Sequence, residues 1–168
     1  MKRGYVVQHR RRREKKTNYR KRLALLKSGK IRAVVRKSTK HMRVQFIEWR
    51  GKSDNTISQT FSKELAKYGW SSYCGNVPAA YLTGYLAGLK ALKKGIKECV
   101  LDLGLQTSTK GSRIYAALKG MLDAGLEIPH SPEILPSEDR IYGRHISEEM
   151  EENVKKVMKN IEEMVKGG

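Results

Sequence analysis

The side chains able to do chemistry in this sequence are mostly lysine and arginine, and they crowd its first third. Residues 1–50 hold nineteen of them against two acids, Glu14 and Glu48, a balance of +17. The full 168 residues carry +18, so the rest of the chain is almost neutral. A cationic front on a neutral body repels itself until a polyanion neutralises it, which points to nucleic acid as the partner. The chemistry on offer is phosphate neutralisation, with Arg and Tyr also able to stack on bases.

Four groups of residues offer it. The first is the run Arg10, Arg11, Arg12, Arg13, Lys15 and Lys16, which a solubilising tail would also explain. The second is Asn18, Tyr19, Arg20, Lys21, Arg22 and Lys27, where Tyr19 is either a stacking platform or a packing residue. The third is Arg32, Arg36, Lys37, Ser38, Lys40, His41, Arg43 and Gln45, a donor-rich surface or a plain solvated face. The fourth lies in GLQTSTKGS (104–112) and just beyond it: Thr109, Lys110, Ser112 and Arg113. Backbone N–H groups there, at the start of a helix, could hold an RNA phosphate; an ordinary strand-to-helix connection fits equally well. Trp49, Trp70 and Tyr73 flank this front, on the surface or in the core.

Catalytic constellations are missing. There is no G-x-x-x-x-G-K-[ST], no G-x-G-x-x-G, no H-E-x-x-H and no G-x-S-x-G. His9, His41, His130 and His145 are scattered. A metal-dependent nuclease needs several converging carboxylates, and the core offers only Asp102, with Asp123 late on a helix. The expectation is no enzyme, no cofactor, no metal and no small-molecule substrate. Cys74 and Cys99 stand 25 positions apart without zinc-like partners, as reduced apolar residues do. The longest apolar stretch, 77–92, is shorter than the roughly 20 residues that span a bilayer, and Lys90 interrupts it, so no membrane is expected. The basic start lacks the apolar segment of a signal peptide. No recognition-helix motif or zinc finger points to DNA; a basic arm beside a polar sheet suits irregular RNA.

These residues need elements to position them. Residues 1–16 are too charged to bury and read as an extended arm, disordered until a partner arrives. Residues 17–30 predict a short helix capped by Thr17 or Asn18, resting on Leu23 and Leu26 and ended by Gly29. Period-two alternation predicts strands over 31–37, 42–48 and 56–62, with an outer face of Arg32, Arg36, Arg43, Gln45, Thr56, Ser58 and Thr60. A helix over 76–95 follows, capped by Asn76, its Gly84 and Gly88 letting it lie close on the sheet. Residues 98–105 contain a buried strand, and Ser112 caps a helix over 113–125 whose Ile114, Ala117, Leu118, Met121 and Leu122 share one face. Residues 126–145 are a proline-containing loop, and 147–166 a last helix with a stripe of Ile146, Met150, Val154, Val157, Ile161 and Val165. The fold class is α/β: a three-stranded antiparallel meander followed by helix-strand-helix, giving a mixed sheet. Three parts result: a basic arm and short helix (1–30), an α/β core (31–128), and a loop with a C-terminal helix (129–168).

Several segments together resemble a known family. TNYRKRLALLKSGKIRAVVRKSTKHMRVQFIEW (17–49), GNVPAAYLTGYLAGLKALKKG (75–95), DLGLQTSTKGSRIYAALKGMLDAGLEIPHSPEILP (102–136) and DRIYGRHI (139–146) are similar to the large-subunit ribosomal protein family L-eighteen, in its archaeal form, related to the eukaryotic L-five. The blocks YRKRL, VRKS-x-KH and TKGSR-x-(Y/F)-AALKG-x-x-DAG-x-x-IPHS carry the resemblance. It implies a sheet of the ribonuclease-H-like, translational-machinery type and no catalysis. It implies binding to 5S rRNA in the central protuberance of the cytoplasmic large subunit, with 23S rRNA and a 5S-binding protein of the bacterial and archaeal L-five family as neighbours. The alternative is a non-specific RNA-binding or RNA-processing protein on the same scaffold.

Overall fold

Four strands make one mixed sheet in the computed structural model, which describes residue 4 and residues 6–166. Residues 1–3 and 5 of the expected arm, and residues 167–168, lie outside the described residues. The strands are β1 (Arg32–Lys37), β2 (Met42–Trp49), β3 (Asp54–Phe61) and β4 (Val100–Asp102), in the order β3-β2-β1-β4. The first three form the antiparallel meander, and β4 returns parallel to β1, pairing Ala33 with Leu101. The alternation that predicts the meander also builds its core face: Ala33, Val35, Met42, Val44 and Phe46 are all buried.

Helices cover that face. α3 (Val77–Lys93) lies on β2 and β3, and α4 (Arg113–Asp123) touches β1 and runs along α3. The Asn76 side chain caps α3 by accepting from the Ala79 N–H at 2.8 Å. A short α5 (Glu138–Tyr142) and the long α6 (Glu148–Lys166) pack behind α3, with Val154, Val157 and Ile161 buried. No helix among the described residues is long and apolar enough to cross a membrane. Cys74 and Cys99 are both free, and burial pushes the Cys99 thiol up to about 12.

Several expectations are corrected. Ser58 and Thr60 do not face outward; both are buried. Pairing runs Phe46 with Ser58 but Ile47 with Thr56, so Ile57 is an extra residue at a β-bulge. One extra residue inverts the alternation beyond it, turning Ser58 and Thr60 inward and Phe61 outward beneath Arg43. Gly84 and Gly88 serve the approach of α4 rather than of the sheet. A Cβ on Gly84 would stand 2.0 Å from the Ala117 carbonyl oxygen, and one on Gly120 would stand 2.2 Å from that of Tyr81. The two helices therefore meet backbone to backbone. Ser112 holds the cap position of α4, but its hydroxyl makes no capping bond. The third strand ends at Phe61, and Ser62, expected as its last residue, opens a 3-10 helix (Ser62–Tyr68) whose remaining residues are unassigned from sequence; Trp70 after it belongs to the core. Ile146, at the head of the α6 stripe, is exposed.

The basic segment also differs from expectation. Arg10–Arg13 form one helical turn, α1, instead of an extended arm. Glu14 neutralises part of the run, reaching Lys16 at 2.9 Å, and Arg11 Nε donates to Thr17 Oγ1 at 2.9 Å. α2 (Tyr19–Lys27) forms with the Asn18 side chain accepting from the Lys21 N–H at 3.1 Å. It buries no residue, and Leu23, expected as a contact, is exposed. Its partly buried residues are Tyr19, Arg22, Leu25 and Leu26.

Candidate nucleic-acid interface

Opposite the helical layer, the outer face of the sheet carries α1, α2 and the loop 103–108. Together they enclose an open cleft of about 790 Å³. Its floor is Val34, Ile47 and Leu101; its rim includes Arg11, Lys16, Lys21, Arg22 and Arg36. Alternation places Arg32, Val34 and Arg36 on this face, opposite the core residues Ala33 and Val35.

The sheet arginines are tied into the protein. Arg32 is only 2% exposed. Its Nη1 donates to Asp102 Oδ2 at 3.1 Å and its Nη2 to Asp54 Oδ1 at 2.6 Å, while its Nε is buried without a partner. Arg36 donates to the Val35 and Asp102 carbonyls and to Asp102 Oδ1, and it lies over Gly104. Gly104 has φ +61, and a Cβ there would stand 2.8 Å from the Arg36 guanidinium, so glycine serves both the turn and the arginine. Gly104 N–H also donates to Asp102 Oδ1 at 2.8 Å. The single acid that a nuclease reading would use is thus occupied by two guanidiniums and an amide. Among the described residues, no three His, Cys, Asp or Glu side chains gather as a metal site requires.

A second cluster forms at the turn between β1 and β2. Ser38 closes it, its hydroxyl accepting from the His41 N–H at 3.0 Å. Lys40 is exposed there, His41 leans on Phe61 with ring centroids 4.8 Å apart, and the Arg43 guanidinium lies over the same ring at 5.3 Å. Gln45 donates to Gln59 across the strands, and the Lys37 backbone exchanges two hydrogen bonds with the Gln106 side chain. Arg113 reaches this turn from α4, donating to the Thr39 and Gly75 carbonyls, and Tyr73 donates to Thr39 at 2.8 Å while staying exposed.

The structure gathers Arg11, Lys16, Asn18, Lys21, Arg22, Arg32 and Arg36 of the sequence-derived residues around this one cleft. Arg10, Arg12, Arg13, Lys15, Arg20, Lys21, Lys27 and Lys40 are exposed cations. Tyr19 is half-buried against the His9 ring at 5.2 Å. Thr109 is exposed and Lys110 is paired with Glu133 at 3.0 Å, while the Ser112 hydroxyl is buried without a partner. Sequence reasoning left Trp49 undecided between surface and core, and it missed Asp54 and Gln106. Asp54 was findable in principle, as the next acid after Glu48 at the end of a run dominated by cations.

Comparison with known proteins gives consistent matches. The family model described as ribosomal large subunit proteins 60S L5 and 50S L18 matches residues 3–98 and 93–131. A protein of Korarchaeum cryptofilum named large ribosomal subunit protein uL18 is 62% identical over 143 residues, covering 85% of this chain and 73% of the relative. The uL18 of Methanococcoides burtonii is 49% identical over 162 residues, covering 96% and 94%. That of Aeropyrum pernix is 56% identical over 145 residues, covering 86% and 68%.

Proposed function

We infer a structural role in the ribosome from one premise: this chain belongs to the family of ribosomal large subunit proteins 60S L5 and 50S L18. It is a constituent of the large subunit of the cytoplasmic ribosome, and its partners are ribosomal RNA and other ribosomal proteins. Its work is holding, not catalysis. The RNA it holds is 5S rRNA, which it helps fasten to 23S rRNA in the central protuberance, beside a 5S-binding protein of the L-five family.

The observation that carries the RNA-binding reading is the outer-face cleft, whose rim holds Arg11, Lys16, Lys21, Arg22 and Arg36. The YRKR block on α2 and the VRKS-x-KH block across the β1–β2 turn support the 5S assignment, since both contribute to that rim. On this reading Arg10, Arg12, Arg13, Arg20, Lys21, Lys27, Lys40 and Arg43 meet phosphates, and Arg32 and Arg36 shape the surface beneath them. Residues 1–30 are the RNA-facing part, 31–128 the core, and 129–168 the closing loop and helix.

Filter binding of 5S rRNA against a random transcript tests this. Around 6–10 phosphate contacts lower affinity by about 10³- to 10⁵-fold between 50 and 200 mM salt. A flat salt response, or equal affinity for the random transcript, refutes the assignment.

A further inference from the structure

The helix α2 carries a dense group of exposed cations, yet none of its residues is fully buried and Leu25 and Leu26 are only partly so. Its specific ties to the sheet are polar. Asp54 and Trp49 are cross-strand partners at the hairpin joining β2 and β3. Both engage one side chain of α2: Arg22 Nη2 donates to Asp54 Oδ2 at 2.9 Å, and the Arg22 guanidinium lies 5.8 Å from the Trp49 ring centroid. The second Asp54 oxygen is held by buried Arg32, which is in turn held by Asp102. A chain of alternating charge thus runs from Arg22 through Asp54, Arg32 and Asp102 to Arg36, linking α2 to β3, β1 and β4.

We propose that Asp54 is a positioning residue for RNA binding: its carboxylate seats Arg22 and so fixes the basic helix α2 on the sheet. This rests on the RNA-binding reading above. The proposal runs against simple electrostatics. An acid inside a cationic surface repels phosphate, so removing it should tighten RNA binding if charge were all that mattered. If Asp54 acts by holding α2, its removal weakens binding, because the helix must be ordered again when RNA binds.

The test uses the full chain and a 5S rRNA transcript. Asp54→Asn keeps an oxygen for Arg32 and removes the charge that seats Arg22; Asp102 stays on Arg32. Glu48→Gln, which removes an acid of the same hairpin paired with Arg50 rather than α2, is the control. The expected result is a Kd raised about tenfold in Asp54→Asn. Hydrogen exchange over residues 19–27 should be faster, and Glu48→Gln should bind as tightly as wild type or tighter. Should Asp54→Asn melt early, Trp49→Ala decides, since it leaves both partners of Arg32 in place; the same two changes are expected, smaller in size. Unchanged exchange over residues 19–27, or a Kd equal to or below wild type, overturns the proposal. Wild-type protein without preference for 5S rRNA overturns instead the 5S assignment. An affinity for 5S rRNA that Asp54→Asn retains in full overturns only the role of Asp54.

Discussion

On one face of the sheet, α3 and α4 approach until glycines on each touch the other's backbone; on the other, α2 lies with no buried residue and is held through Arg22. The first contact is apolar, continuous and intolerant of added volume, like the interior of any folded domain. The second depends on a few charged groups at the surface, and exposed ion pairs contribute little stability. The body can therefore fold without the front being rigid. The front can keep its cations clear of the core, free for a polyanion. Division of labour between the faces follows from what each buries.

Filling the helix–helix contact should have the largest effect. In Gly84→Leu the new side chain starts 2.0 Å from the Ala117 carbonyl oxygen, far inside van der Waals contact, so α3 and α4 must separate. Overpacking of this kind costs about 3 kcal/mol or more, and thermal melts should show a large fall in Tm or no folded protein. A variant that melts like wild type would show that the two faces do not differ as described. On the front, Arg20→Ala with Lys21→Ala should leave Tm nearly unchanged and raise the Kd for RNA about tenfold, reducing the salt slope by roughly one for each phosphate no longer neutralised. A lowered Tm with unchanged Kd would invert the comparison.

The caps sharpen it further. Asn76→Ala removes the cap of a buried helix and should cost about 1 kcal/mol of global stability by denaturant titration. Asn18→Ala removes the same kind of cap from α2 and should accelerate hydrogen exchange there while leaving the global transition in place. The smallest effect concerns acid. Arg144 and Lys155 hold the Glu151 carboxyl at about 2, below its ordinary 4.5. A depressed carboxyl contributes stability above its unfolded value and loses it as pH falls toward the folded one. The tie between the 143–147 turn and α6 should thus persist to pH 4.5 and fade between about 4.5 and about 2. The titration of Glu151 followed by NMR checks it; a midpoint near 4.5 would show no such tie.

Much of this could be read from residues in order. Composition alone set the separation of charge, because only residues 1–50 carry the cationic excess. Local chemistry placed Asn18 and Asn76 at helix starts, where their side chains do accept the orphan N–H groups. Strict alternation fixed Ala33, Val35, Met42, Val44 and Phe46 on the core face, as a pleated strand requires. Other features depend on partners far away in the chain. The bulge at Ile57 reversed Ser58 and Thr60 because β3 had to match β2 on both sides of one extra residue. Gly84 and Gly88 met α4 instead of the sheet, since nothing in a helix reveals which neighbour its small residues will face. Arg32 reads in sequence as an outward cation on an alternating strand. Only the arrival of Asp54 and Asp102 from β3 and β4 made it a buried hub, because a charge can leave water only where opposite charges converge on it.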